Sequence, residues 1–165
     1  MQKILVSACL LGEAVRYDGA AHGPFAQLQA WQAEGRVLAL CPEMAGGLPT
    51  PRPPAEILGG QGRAVLAGQQ VVRDCHGRDV SDAFRAGAAR ALALVREQGI
   101  GMAVLKARSP SCGNTHNYDG HFNGTLVAGE GVTAALLKRH GVQVFNETQL
   151  AEAAAELARL EQGDD

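Results

Sequence analysis

Cys9, Cys41 and Cys112 each stand in a short segment, marked by glycine or proline, shortly after an apolar run. Cys9 ends Ile4-Leu5-Val6-Ser7-Ala8-Cys9, and Cys41 ends Val37-Leu38-Ala39-Leu40-Cys41. Cys112 follows Met102-Ala103-Val104-Leu105-Lys106-Ala107-Arg108, inside Ser109-Pro110-Ser111-Cys112-Gly113-Asn114. Open α/β sheets keep their chemistry where strands end and loops begin. Three thiols placed this way can converge on one point, and the natural occupant of such a site is a metal or an iron–sulfur cluster.

The spacing narrows the choice of occupant. No pair of cysteines has the Cys-x-x-Cys spacing of a zinc ribbon, and structural zinc takes four ligands. His22, His76, His116, His121 and His140 are the available fourth ligands, and only their positions in space decide among them. A 4Fe-4S cluster held by three thiolates instead leaves one iron open as a Lewis acid. Cys75 lies between Asp74 and His76 without comparable context. It is expected to pack as a small buried hydrophobe rather than to ligate.

Other residues beside the thiols carry chemistry. Glu43 follows Cys41 by two positions across the stiff Pro42. A carboxylate near a cluster and partly out of water tends to a raised pKa, which suits proton transfer near neutral pH; a salt-bridged or capping glutamate is the plainer reading. Ser109 and Ser111 flank Pro110, and each can orient substrate or serve as a turn residue. Gly46-Gly47 and Gly113 allow close approach of backbone to a ligand. Arg16, Arg52, Lys106 and Arg108 lie in or beside the cysteine loops, where they either balance a thiolate cluster and an acidic substrate or remain solvated charges. No Gly-x-Ser-x-Gly elbow, Walker A sequence or Gly-x-Gly-x-x-Gly occurs, which argues against a serine triad and against nucleotide phosphate binding.

These residues need a frame, and apolar runs alternate with helical patterns. Strands are expected over Lys3–Ser7, Val37–Leu40, Met102–Lys106 and Val142–Phe145, with a short one at Val71-Val72. Helices are expected over Pro24–Glu34, Ala83–Gln98 capped by Ser81 or Asp79, Gly131–His140 and Glu147–Glu161. Cys41–Pro54, rich in Gly and Pro, is expected to be loop, as is Ser109–Gly124, and 56–70 reads as irregular. The order predicts a single-domain α/β fold. Its sheet is a mostly parallel, twisted, Rossmann-like one with helices on both faces, right-handed crossovers, and the three cysteines on one carboxyl edge.

Bulk composition sets the remaining bounds. The 165 residues suit one core, and 46% apolar with only 4% aromatic makes that core mostly Ala, Val and Leu. A net charge of −2 without a Lys/Arg block gives no nucleic-acid footprint. The chain opens on a short apolar run without a signal-peptide pattern or membrane span. A soluble cytoplasmic protein with reduced thiols is therefore expected.

Several ordered segments together resemble one known family. They are Val6-Ser7-Ala8-Cys9-Leu10-Leu11-Gly12 with Arg16-Tyr17-Asp18-Gly19, Cys41-Pro42-Glu43 through Gly46-Gly47-Leu48-Pro49-Thr50-Pro51-Arg52, Asp79-Val80 with Phe84 and Gly87-Ala88, Leu105-Lys106 with Ser109-Pro110-Ser111-Cys112-Gly113, and Tyr118-Asp119-Gly120 with Phe122. The chain resembles the thiouracil desulfidase (TudS) family, long known as a bacterial domain of unknown function. The resemblance implies a 4Fe-4S cluster on Cys9, Cys41 and Cys112. Its open iron takes the sulfur of a thiolated pyrimidine, and water replaces that sulfur to give uracil and hydrosulfide. It further implies Glu43 and Ser109, or equally Ser111, as assisting residues, and maturation by iron–sulfur assembly machinery. Ser111 and the backbone of Gly47 and Gly113 are then expected to hold the pyrimidine. Some relatives carry a further cysteine where this chain has Val15, and its absence fits three protein ligands.

Overall fold

The computed structural model describes residues 1–14, 16–20 and 23–163; Val15 and His22 lie outside them. Ile4–Ser7 (β1), Ile-Leu-Val-Ser, is mostly apolar and buried along its whole length. Such a run suits a strand covered on both faces. It pairs in parallel with Val37–Leu40 (β2) on one side and Met102–Leu105 (β5) on the other; Gln143–Asn146 (β8) then pairs in parallel with β5. The sheet order is β2-β1-β5-β8.

Side chains of a strand alternate between faces, and the core divides accordingly. Leu5, Ala103, Leu105 and Val144 pack with Ala91 and Val95 of Ser81–Gln98 (α4) and with Ala134 and Leu137 of Val132–Arg139 (α5). Ile4, Val6, Met102 and Val104 pack with Leu28 and Trp31 of Ala26–Ala33 (α1) and with Ala153 and Leu157 of Leu150–Gln162 (α6). The expected parallel sheet with a helix layer on each face is therefore present. The chain leaves β1 toward β2 and later returns to β5 on the opposite side. β1 is thus the switch point, and a crevice opens outside the carboxyl ends of its neighbours.

Several local expectations need correction. Cys41–Pro54 is not all loop, because Pro42–Ala45 forms a one-turn helix (α2) with Pro42 in its first turn. The fixed φ of proline is preorganised for that position, and its missing N–H costs nothing there. Residues 56–70 are not irregular. They hold most of Ala55–Ile57 (β3), which pairs antiparallel with Val72–Asp74 (β4), then a 3₁₀ turn and Gly62–Leu66 (α3). The long glycine-rich loop contains His116–Tyr118 (β6), paired antiparallel with Leu126–Ala128 (β7). Pro24 precedes α1, whose N-cap is Phe25. Neither Ser81 nor Asp79 is the N-cap of α4; that position is Val80. Asp79 instead accepts the Ser81 N–H at 2.9 Å, and Ser81 Oγ accepts the Val72 N–H at 2.8 Å, which ties the helix start to β4.

Glycine sets how closely two helices approach. Gly87 of α4 lies against the Pro42 carbonyl and Gly46 lies against the Ala83 carbonyl, so that a Cβ at either position would overlap that oxygen. This close contact seats α2, and with it Cys41 and Glu43, against α4.

Candidate active site

At the switch point the loops after β1, β2 and β5 enclose a cleft of about 530 Å³. Cys9, Cys41 and Cys112 all line it, as do Glu43, Arg52, Lys106, Ser109, Tyr17, Tyr118 and Phe122. Cys9 comes from the 3₁₀ turn Ala8–Leu11 directly after β1, and Cys41 is the N-cap of α2 directly after β2. Cys112 stands in the turn that follows β5. Its N–H donates to Ser109 Oγ at 3.0 Å, and the Ser111 N–H donates to the same oxygen at 3.1 Å.

Cys9 and Cys112 are buried and Cys41 is half-buried. Burial, reinforced by Cys41, pushes the Cys9 thiol up to about 11. Burial pushes Cys112 up to about 12 and outweighs the hydrogen bond from Ser7, while Cys9, Glu43 and Cys41 add smaller repulsions. That bond runs from Ser7 Oγ to Cys112 Sγ at 3.5 Å, while the Lys106 N–H donates to Ser7 Oγ at 2.9 Å. Arg52 Nη2 stands 4.0 Å from Cys41 Sγ. The three thiols therefore sense one another across one space. Unaided, the cleft keeps Cys9 and Cys112 protonated, and the positive charge of a metal is what turns such thiols into thiolates.

Glu43 comes from the first turn of α2, and its side chain is 16% exposed. Arg52 Nε donates to its Oε1 at 3.1 Å, and Ser109 is hydrogen-bonded to the same carboxylate. Burial pushes the carboxyl above its usual range and outweighs the opposing pull of Arg52 and Ser109. Arg52 is itself anchored by Pro49 O at 3.1 Å and Thr50 Oγ1 at 3.0 Å. Glu43 is thus salt-bridged, as the plainer reading expects, and its buried carboxyl holds a proton more tightly than an ordinary carboxylate.

Three expected substrate contacts are not on the cleft wall. Ser111 is fully buried with its Oγ 2.7 Å from Thr133 Oγ1, so it serves packing. The Gly47 N–H donates to Met44 O at 2.9 Å, and the Gly113 N–H donates to Ser109 O at 2.8 Å. Both amides are committed to turns. Cys75 also departs from expectation: it is exposed in the turn after β4 instead of buried, and it does not line the cleft. His76, His116, His121 and His140 are exposed and absent from the cleft wall. Among the described residues, no three His, Cys, Asp or Glu side chains close round a point tightly enough for one metal ion.

Two polar neighbours of the thiols lie outside the expected site residues. Ser7 is one. Glu147 is the other: it follows β8, pairs with Lys106 Nζ at 2.8 Å, and accepts the Ala107 N–H at 2.7 Å. Glu147 also raises the Cys9 thiol electrostatically. The strand-end rule, applied to the fourth strand as it was to the first three, points to it.

The sequence matches the family described as 2-thiouracil desulfurase over residues 4–149. The chain belongs to that family. It is 43% identical over 147 residues to the uncharacterized protein YbbK of Bacillus subtilis (strain 168), covering 89% of this chain and 97% of that protein. A solved structure described as the 4Fe-4S-dependent thiouracil desulfidase TudS superposes with a TM-score of 0.87 at 53% identity, covering 96% of this chain and 99% of that one. No helix among the described residues is long and apolar enough to cross a membrane.

Proposed function

We propose that this chain, as a single iron–sulfur domain, is a 4Fe-4S-dependent desulfidase. It hydrolyses the C=S group of a thiolated uracil, so that the thio-base and water give uracil, hydrosulfide and a proton. One observation carries the reading: Cys9, Cys41 and Cys112 line a single cleft together with Glu43. Family membership and the likeness to TudS support it. The donors fit the group, since soft thiolates suit iron–sulfur clusters. A site too wide for one ion, with no histidine among the described residues on its wall, is a poor match for four-coordinate zinc.

Cys9, Cys41 and Cys112 are the ligands in this reading. When bound, the cluster supplies an iron without a protein ligand, a Lewis acid for the soft sulfur of the substrate. Glu43 accepts a proton from the attacking water or delivers one to the ring. Ser109 orients Glu43, and through its Oγ it also fixes the Cys112 turn. Lys106 and Arg52 bring positive charge to a cleft that must hold thiolates and release hydrosulfide. The reaction consumes no electrons. We assign the protein to the cytoplasm, where its thiols remain reduced and assembly machinery delivers the cluster.

The test is anaerobic. Cluster-loaded protein is mixed with 2-thiouracil or 4-thiouracil, and then with the matching thiouridines, without an electron donor. Uracil (or uridine) and hydrosulfide are expected in equal amounts. A fully loaded sample that releases no hydrosulfide from any of them rejects the reading, and a non-catalytic sensor or sulfur carrier takes its place.

A further inference from the structure

Phe122 is an apolar residue left 39% exposed, and it is so placed at the wall of the thiol cleft. Its φ is +57°, a left-handed conformation rare for a non-glycine residue and costly for a bulky one. A carboxylate holds it there. Glu56 Oε1 accepts the Gly120 N–H at 3.0 Å and the Phe122 N–H at 3.2 Å, while the Asp119 carbonyl accepts the Gly59 N–H at 2.9 Å. Glu56 of β3 and Gly59 of the 3₁₀ turn after it thus tie the 119–122 turn in place at the cleft wall. Of the other aromatics there, Tyr17 already faces the Arg16 guanidinium, 5.9 Å from its ring centroid, and Tyr118 is half-buried, whereas Phe122 is exposed.

We infer that Phe122, held by Glu56, is the face on which the pyrimidine ring of the substrate stacks. This inference rests on the desulfidase reading for the identity of the ring. A planar heterocycle offers few polar atoms and one broad π-face, so an aromatic plate is an efficient way to orient it for chemistry at one exocyclic atom. Strain kept at such a place has a function to offset it. Phe122 acts as a substrate-contacting residue and Glu56 as its positioning residue.

The test compares wild type with Phe122→Ala, Phe122→Tyr, Phe122→Gly and Glu56→Ala, all cluster-loaded. Calorimetric binding of uracil, the product, is read beside KM and kcat for 4-thiouracil, iron content and thermal midpoint. Phe122→Ala should weaken uracil binding and raise KM about ten-fold or more, the scale of one base–aromatic stack. Its iron content should not change. Phe122→Tyr should restore binding. Phe122→Gly should lose binding while its thermal midpoint does not fall, because glycine relieves the positive φ; a merely structural phenylalanine would lower it. Glu56→Ala should weaken binding with the ring still present. Wild-type KM and uracil affinity in Phe122→Ala, with an active wild type, overturns this inference alone. A wild type that binds uracil through Phe122 yet releases no hydrosulfide overturns the desulfidase reading alone. A wild type that saturates with no pyrimidine overturns both.

Discussion

The Arg52 guanidinium stands 3.1 Å from Glu43 Oε1, and its other end reaches 4.0 Å from Cys41 Sγ. One buried cation thus touches both the proposed base and a proposed ligand. It pulls the Glu43 carboxyl down, but burial pushes harder and leaves it above the usual carboxylate value of 4.5.

A consequence concerns pH. Acting as the base toward water, Glu43 must be deprotonated, so the acid limb of kcat/KM should lie above the ordinary carboxylate range and rise with pH through the Glu43 pKa. Arg52→Ala removes the downward pull, so the limb should move to higher pH. Glu43→Gln should abolish it, lowering turnover by roughly 100-fold or more with the cluster spectrum intact. A pH–rate profile checks both. A limb unmoved in Arg52→Ala refutes the coupling.

The ligand assignment is separable from catalysis. Cys9→Ala, Cys41→Ala and Cys112→Ala should each lose most iron and the brown chromophore after anaerobic reconstitution. Cys75→Ala, altering an exposed thiol away from the cleft wall, should keep both. Iron and sulfide analysis decides. Full loading in any of the first three removes that residue from the ligand set.

Gly87 offers a test of how the site is seated. In an ordinary helix interior Gly→Ala stabilises by roughly 0.5–1 kcal/mol. Here the added Cβ meets the Pro42 carbonyl, and overpacking costs about 1–3 kcal/mol. Gly87→Ala should therefore lower stability and, by displacing the Cys41–Glu43 turn, also lower cluster loading. Chemical denaturation midpoints and iron content are the measurements. A stabilised, fully loaded variant contradicts the packing argument.

Glu147 should make stability depend on acid. Burial pushes its carboxyl up, yet Lys106, the Ala107 N–H and its own backbone outweigh burial and bring it below 4.5. A lowered folded-state pKa means the stabilisation is present above about pH 4.5 and is lost as pH falls through the folded value. Glu147→Gln should therefore be less stable than wild type at about pH 7 and nearly equal to it at about pH 3. Urea midpoints at the two pH values test this. A gap that widens toward acid reverses the sign and rejects it.

Much of this architecture is legible in local pattern. The four apolar runs became the four parallel strands, with ends shifted by a residue or so; the central pair, β1 and β5, are buried along their whole length, which demands nearly continuous apolar sequence. Gly99 ends α4 in a left-handed conformation, as its position after a helical run predicts. Cys9, Cys41 and Cys112 share a cleft because each follows a strand of one parallel sheet, and parallel strands bring their ends to one edge.

Tertiary structure decided the rest. Strands β3, β6 and β7 have three residues each, too few for any period to register, and exist through their antiparallel partners; of β4, expected at Val71-Val72, only Val72 falls inside the observed Val72–Asp74. A one-turn α2 survives in a glycine- and proline-rich stretch because α4 offers Gly87 and Ala83 beside its own glycine. Ser109 and Ser111 are two residues apart and indistinguishable by type. Only packing turns Ser109 to Glu43 and buries Ser111 against Thr133, 22 positions away. The amides of Gly47 and Gly113 looked available for a ligand, yet turn hydrogen bonds occupy both. Residue type and strand order determined which thiols meet. Which hydroxyl, amide or carboxylate faces them depended on partners distant in sequence, and a hydrogen bond's direction is set by where those partners end up.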